Sequence, residues 1–161
     1  MKITPEMMMD AVAAQIEGIF PGEKIYRNLA PMNFERPSNM IEQTSIKLDP
    51  LGQGGGSVGL LYQYKITTFC VVDEVHDSHL PTLDLRAISV LAAFAQGYVK
   101  VGDRAPKVTA CTADTSYNDC AEVMLTLSLN VDRSEFCPEA IQPLMESLDV
   151  NVRAFPTNGP V

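Results

Sequence analysis

The sequence lacks the features by which membrane and secreted proteins are recognised. Its longest apolar run, Ala87 to Ala95, has only nine residues and is interrupted by a serine. A membrane-spanning helix needs about 20 consecutive apolar residues, so the sequence predicts no membrane protein. The first twelve residues contain no apolar segment of the kind found in secretory signals. We therefore expect no signal peptide.

Positive charge is also scarce. Twelve lysines and arginines stand against 20 aspartates and glutamates, which gives a formal net charge of −8. The imbalance is concentrated in residues 108–152, which hold eight acids and a single base, Arg133. Proteins that wrap nucleic acid need clustered cations to displace its counterions, and no such cluster is present. The composition argues against a nucleic-acid-binding protein of this kind.

Cysteine is sparse and unpatterned. The four residues, Cys70, Cys111, Cys120 and Cys137, form no C-x-x-C pair. They therefore resemble neither a zinc ribbon nor the disulfide framework of a small secreted domain. We predict four reduced thiols that pack as small apolar side chains.

What the chain does have is enough material for one packed core. It contains 161 residues, of which 46% are hydrophobic and 20% charged. A compact chain of this size buries about 70% of the surface that it exposes when unfolded. We expect a single domain over residues 1–161, with residues 133–161 as a C-terminal extension.

Hydrophobic spacing predicts a helix, then strands. The first helix is predicted to begin after Thr4 as N-cap and to stop at Pro21-Gly22. A short extended piece, Lys24 to Leu29, leads into a link bounded by Pro31 and Pro37. Strands are predicted at Met40–Leu48 and Val58–Asp73.

The second half repeats this order. Pro81 is predicted to open a second helix, which Gly97 caps. Its predicted buried stripe consists of Leu80, Leu83, Ala87, Ile88, Leu91, Phe94 and Ala95. Two further strands follow at Lys107–Ala113 and Asp119–Asp132, and the second alternates apolar and polar residues. The prediction is an α+β fold in the order α-β-β-β-α-β-β, with an antiparallel sheet and two helices on one face.

Catalytic constellations are weak. The segment Asp73 to His79 contains both histidines, His76 and His79, and three carboxylates, a donor set that could bind zinc. It spans a strand end and a turn, so nothing fixes its geometry, and a solvated turn before a helix explains it better. The Gly-rich run joins two strands and lacks the lysine of a phosphate-binding loop. We predict no catalytic residue, no metal and no cofactor.

The Gly-rich run is instead the tip of a predicted hairpin. Five glycines fall among the nine residues from Leu51 to Gly59. Such a tip can become ordered against a partner. The predicted partner-contact residues are Leu51, Gly52, Gln53, Gly54, Gly55, Gly56 and Ser57.

The order of elements, together with three local sequences, carries a family resemblance. The first helix ends in Phe20-Pro21, the link reads Phe34-Glu35-Arg36-Pro37, and the second helix begins Thr82-Leu83-Asp84-Leu85-Arg86. In these respects the chain resembles the tail terminator, or tail completion, proteins of long-tailed bacteriophages and prophages. The resemblance covers about residues 1–132.

The resemblance implies a non-enzymatic virion protein that assembles in the bacterial host cytoplasm. Its copies would form a ring, six in number, that caps the tail tube and meets the head-side connector. DNA would pass through the channel without specific binding. Acids would suit the channel wall because they offer DNA no cations and hence no counterion release, and Glu122 and Asp132 are the candidates. Two alternatives stay open: a head–tail joining or neck protein, and a small metal-dependent enzyme using His76 and His79.

Overall fold

The computed structural model describes residues 2–49, 56–72, 79–115 and 119–136. The elements along this part of the chain are α1 (Pro5–Ile19), β1 (Lys24–Arg27), β2 (Ser38–Leu48), β3 (Ser57–Phe69), α2 (Leu80–Ala93), β4 (Lys107–Thr115), β5 (Cys120–Asp132) and the short α3 (Arg133–Phe136). The α+β prediction and its element order are confirmed. No helix in the described ranges is long and apolar enough to cross a bilayer.

Helix α1 begins as its sequence predicts. The Thr4 hydroxyl accepts a hydrogen bond from the Met7 backbone N–H at 3.2 Å, and Pro5 occupies the first turn. Proline fits there because its missing N–H would have no partner in any case. One face of the helix buries its apolar side chains, including Met8 and Ile16.

The five strands form one sheet in the order β1-β2-β3-β5-β4. All neighbouring pairs are antiparallel except β1 and β2, which run parallel with Lys24 opposite Ser38. The prediction of an antiparallel sheet did not anticipate this edge pair. Residues 28–37 return the chain to the end of the sheet at which β1 began, so β2 repeats the direction of β1.

Both long helices pack on the same side of the sheet, which we call the covered face. Alternate residues of the central strands point into it and are buried, among them Tyr64 on β3 and Leu125 and Leu127 on β5. Tyr62, two residues before Tyr64 on β3, belongs to the same core. Each of the two leucines contributes about 1.5–3 kcal/mol through its removal from water.

The predicted stripe of α2 is correct at its centre and wrong at its edge. Leu83 and Ala87 are buried, as is Val90, which the prediction omitted. Ile88 is 60% exposed, and Ala95 is exposed beyond the end of the helix. Successive residues of a helix are rotated by about 100° about its axis. Ala87 faces the sheet, so Ile88 points away from it and towards solvent.

Strand β3 is shorter than predicted. It ends at Phe69 and not at Asp73. Cys70 is still buried, but Val71 and Val72 are half exposed. The segment 73–78, which contains His76, lies outside the described residues, as do the tip residues 50–55 and the tail from 137 onward.

Candidate interaction surfaces

The side of the sheet opposite the helices, which we call the outer face, is mainly polar. It is formed by the alternate residues of β2 to β5 that point away from the covered face, such as Lys65, Glu122 and Thr126. Neither α1 nor α2 packs against it, since their contacts lie in the core cluster of the covered face. The outer face is therefore a polar surface that neither long helix covers.

A lysine lies between two carboxylates on this face. Lys65 Nζ is 3.0 Å from a carboxylate oxygen of Glu42 and 3.8 Å from one of Glu122. The hydrogen bond that Lys65 donates to Glu42 raises the pKa of Lys65 above its ordinary value. Burial opposes this increase, and the negative charges of Glu42 and Glu122 add to it. A lysine held in this way has its charge offset by acids from both neighbouring strands.

The two predicted channel acids, Glu122 and Asp132, both lie on the outer face and are exposed. Glu122 pairs across the sheet with Asp114 on β4, which places two carboxylates side by side. Asp132 ends the same strand opposite Ser57. The two predicted residues share a face but lie about 33 Å apart along the strand.

Two exposed lysines of the outer face lie away from this acidic pair. Lys47 on β2 and Lys107 on β4 lie in one row across the sheet, separated by Leu61 and Ser128. The face therefore has an acidic end around Glu122 and lysines at both edges of a more distant row.

The link, residues 28–37, is fixed at one end of the outer face by aromatic contacts. The Phe34 ring lies 4.5 Å from that of Phe69 and 6.3 Å from that of Tyr26. The Arg36 guanidinium lies over both phenylalanine rings, at 4.6 Å from Phe34 and 5.3 Å from Phe69. Such contacts are favourable because the faces of aromatic rings attract cations.

Polar contacts fix the same arginine. Arg36 donates to the carbonyl of Cys70 at 3.2 Å and forms an ion pair with Asp119. The Arg36–Pro37 peptide bond is cis. On the outward side of the link, Leu29 and Met32 are exposed, the latter at 99%. The loop 28–37, which contains the predicted link from Pro31 to Pro37, thus displays two apolar side chains, and only Met32 lies within that link.

A second arginine joins the two layers from the other side of the sheet. Arg86 on α2 makes two hydrogen bonds to the Glu23 carboxylate, at 3.0 and 2.6 Å, and donates to the Thr68 hydroxyl at 2.7 Å. Its guanidinium lies 4.2 Å from the centre of the Phe20 ring. The side chain is only 11% exposed. This cluster connects the end of α1, the sheet and α2, and its role is structural.

The predicted hairpin tip is described only at its base. Gly56 has a φ of 95°, a conformation that glycine adopts without strain, and its carbonyl accepts the Arg133 N–H at 2.7 Å. Ser57 begins β3 opposite Asp132. The remaining tip residues, 51–55, lie outside the described residues, so their partner contacts stay a prediction.

The metal and thiol predictions are tested only in part. His79 is the residue before α2, and its side chain makes no capping hydrogen bond. The described ranges contain no group of three potential metal ligands, and His76 lies outside them. Cys70, Cys111 and Cys120 are thiols, and burial raises the pKa of each. Cys137 is not among the described residues.

Sequence reasoning missed both arginine clusters, although Arg36 and Arg86 stand in the very segments that carry the family resemblance. A detectable signal existed for Arg86, because it directly precedes the buried Ala87 on a helix whose other charged residue, Asp84, is exposed. Burying a charged side chain next to apolar residues is unfavourable unless a partner of opposite charge pairs with it. Such a charge therefore indicates a buried ion pair.

Comparison with known proteins gives a structural similarity but no match by sequence. No protein-family model matches the chain, and no curated protein matches it. A chain of the solved structure described as "Virion of native gene transfer agent (GTA) particle" is similar over 78% of this chain and 94% of that chain, with 10% sequence identity and a TM-score of 0.45. We draw no conclusion about function from a similarity at this level.

Proposed function

We propose that the chain is a non-enzymatic structural protein of a phage virion, and that it acts as a tail terminator. Six copies would form a ring that caps the tail tube and meets the head-side connector. The observation that carries the proposal is the two-faced sheet. One face is closed by α1 and α2, and the other is a broad polar surface that ends in exposed acids.

The outer face has the chemistry that a DNA channel requires. Glu122 and Asp114 present adjacent carboxylates, which repel phosphate and release no counterions from DNA. Lys65 is engaged by Glu42 and Glu122, so its charge is offset and it offers phosphate no free cation. We therefore assign the outer face to the lumen of the ring, with its acidic end closest to the DNA.

The hairpin tip is assigned to contacts with a neighbouring copy or with the tail tube. Its base is held against the end of β5 by the hydrogen bond between Gly56 and Arg133. Residues 51–55 directly precede this anchored position in the sequence. Ordering them costs about 1–2 kcal/mol per residue, which contacts in the assembly would have to offset.

Native mass spectrometry tests the ring. We expect an assembly of about six subunits that contains no metal. Deleting Gln53, Gly54 and Gly55 leaves Gly56 and its hydrogen bond in place, so the variant should fold as a subunit and form fewer rings. Alanine at the exposed Thr82 of α2 is the matched control and should leave ring formation unchanged.

The same measurement separates the alternatives. A monomer or dimer that retains zinc would contradict the proposal and favour a metal-dependent enzyme using His76 and His79. A ring that binds purified connectors but not purified tail tubes would favour a head–tail joining or neck protein. A deletion variant that assembles as well as the original chain would remove the tip from the assembly contacts.

A further inference from the structure

An apolar groove lies on the covered face beyond the N-terminal end of α1. It has a volume of about 230 Å³ and is lined by Ile3, Ile46, Leu60, Tyr62, Val131 and Glu135. Ile46 is 42% exposed there, and Leu48, two residues further along β2, is also exposed. Helices α1 and α2 pack over other parts of this face and leave Ile46 and Leu48 partly exposed.

The chain leaves the described structure at the rim of this groove. Glu135 lines the groove, and the described residues end at Phe136 immediately after it. The position of this exit is fixed, because Arg104 binds the Glu135 carboxylate at 2.9 and 3.2 Å and also donates to the Asn130 carbonyl at 3.0 Å. Any segment that follows therefore starts beside exposed apolar surface.

The remaining 25 residues contain an apolar set of the right kind. Ile141, Leu144, Met145 and Leu148 are spaced as on one face of a helix. Pro143 falls where a first helical turn would lie, which proline tolerates. The five residue steps from Phe136 to Ile141 can span up to about 17 Å, so the set is within reach of the groove.

Charge also fits. The segment from residue 137 contains three acids, Glu139, Glu146 and Asp149, and one base, Arg153. Lys2 lies on the rim of the groove. An apolar stripe flanked by acids would thus bury its side chains against Ile46 and Leu60 while its charges face solvent or Lys2.

We propose that residues 141–148 of the same chain dock in this groove and complete the covered face. The segment that occupies the groove belongs to the same chain and not to a neighbouring copy. Docking removes Ile46 from water and extends the helical layer over the end of β2 and β3.

Photo-crosslinking in the full-length protein tests the proposal. p-Benzoylphenylalanine in place of Ile46 should crosslink to residues 137–161, and the partial exposure of Ile46 leaves room for the larger side chain. The same probe in place of the exposed Thr112, on the outer face, is the matched control and should give no crosslink to that segment.

Mixing the probe-bearing chain with a ¹⁵N-labelled copy before irradiation identifies the source. Crosslinked peptides with the same label on both halves support docking within one chain, whereas mixed labels would assign the groove to a neighbour and overturn the proposal. No crosslink, or equal crosslinking from position 112, would also overturn it.

Substitutions in the segment give a second readout. Leu144→Ser combined with Leu148→Ser should lower the crosslink yield from position 46 by about tenfold, since two buried leucines are lost. Gln142→Ser combined with Asn151→Ser is the control and should leave the yield unchanged. An unchanged yield from the leucine variant would contradict docking through the apolar stripe.

Discussion

The covered and outer faces of the sheet are made by alternate residues of the same strands, but they differ in what determines their composition. On β5 the residues facing the helices are fully or almost fully buried, as Val123 and Leu125 are, and packing explains each of them. Their neighbours Glu122 and Thr126 face outward and make few contacts that folding requires. Stability is therefore concentrated in one face, which leaves the other free to be shaped by what it meets.

The largest expected effect compares two adjacent residues of β5. Leu125→Ala should lower the free energy of unfolding by about 3–4 kcal/mol, because it leaves a cavity under α2 at a position that is 0% exposed. Thr126→Ala on the outer face should change it by about 1 kcal/mol or less. Urea denaturation measures both. Equal losses at the two positions would break the distinction between the faces.

The second prediction concerns the hydrogen bonds by which Arg86 connects α2 to the sheet on its covered face. Arg86→Met should cost about 2–3 kcal/mol, because it removes the donor to the Thr68 hydroxyl and the ion-pair partner of Glu23, whose carboxylate keeps only the hydrogen bond from the Asn39 amide. Thermal or urea unfolding provides the measurement. The control is Arg27→Met, which removes an exposed ion pair with Asp10 and should cost under about 1 kcal/mol. If Arg86→Met costs no more than this control, α2 is not held to the sheet by charge.

The smallest effect belongs to the charged centre of the outer face. The pKa of Lys65 is raised in the folded state, so its stabilising contribution is present below its ordinary pKa of 10.5 and is lost as the pH rises through the folded-state value. We expect Lys65→Met to cost less than about 1 kcal/mol at neutral pH, since the site is partly exposed. The difference from the original chain should vanish in alkaline solution, as followed by urea unfolding.

Lys47→Met serves as the control for this pH dependence. Lys47 lies on the same face, and its replacement should change the free energy of unfolding by no more than about 0.5 kcal/mol. A cost for Lys65→Met that persists unchanged above the raised pKa would mean that its alkyl chain, and not its charge, stabilises the sheet.

The sequence predicts those features of the structure that depend on residues close together in the chain. The alternation along β5 and the Thr4-Pro5 start of α1 are local patterns, and they predict the buried residues and the helix start correctly. The parallel pairing of β1 was not predicted because a four-residue strand has too short a pattern to indicate its neighbour.

Contacts between distant parts of the chain were not predictable in the same way. Arg86 and Glu23 are 63 residues apart, and no local spacing indicates that they meet. Arg36 was recognised only as part of a proline-bounded link, although it joins two phenylalanine rings to Asp119. The predicted site residues Glu122 and Asp132 do share an exposed face. They are separated by an even number of residues on one strand, and such side chains point to the same side of the sheet.

We propose that the outer face lines the channel of a ring. A cryo-electron microscopy reconstruction of the assembled protein tests it most directly, because the covered and outer faces can be told apart by the positions of α1 and α2. We predict a sixfold ring in which the helices face outward and Glu122 and Asp114 face the lumen. A channel lined by lysines or arginines, or a ring in which Glu122 lies on the outer rim, would contradict the account.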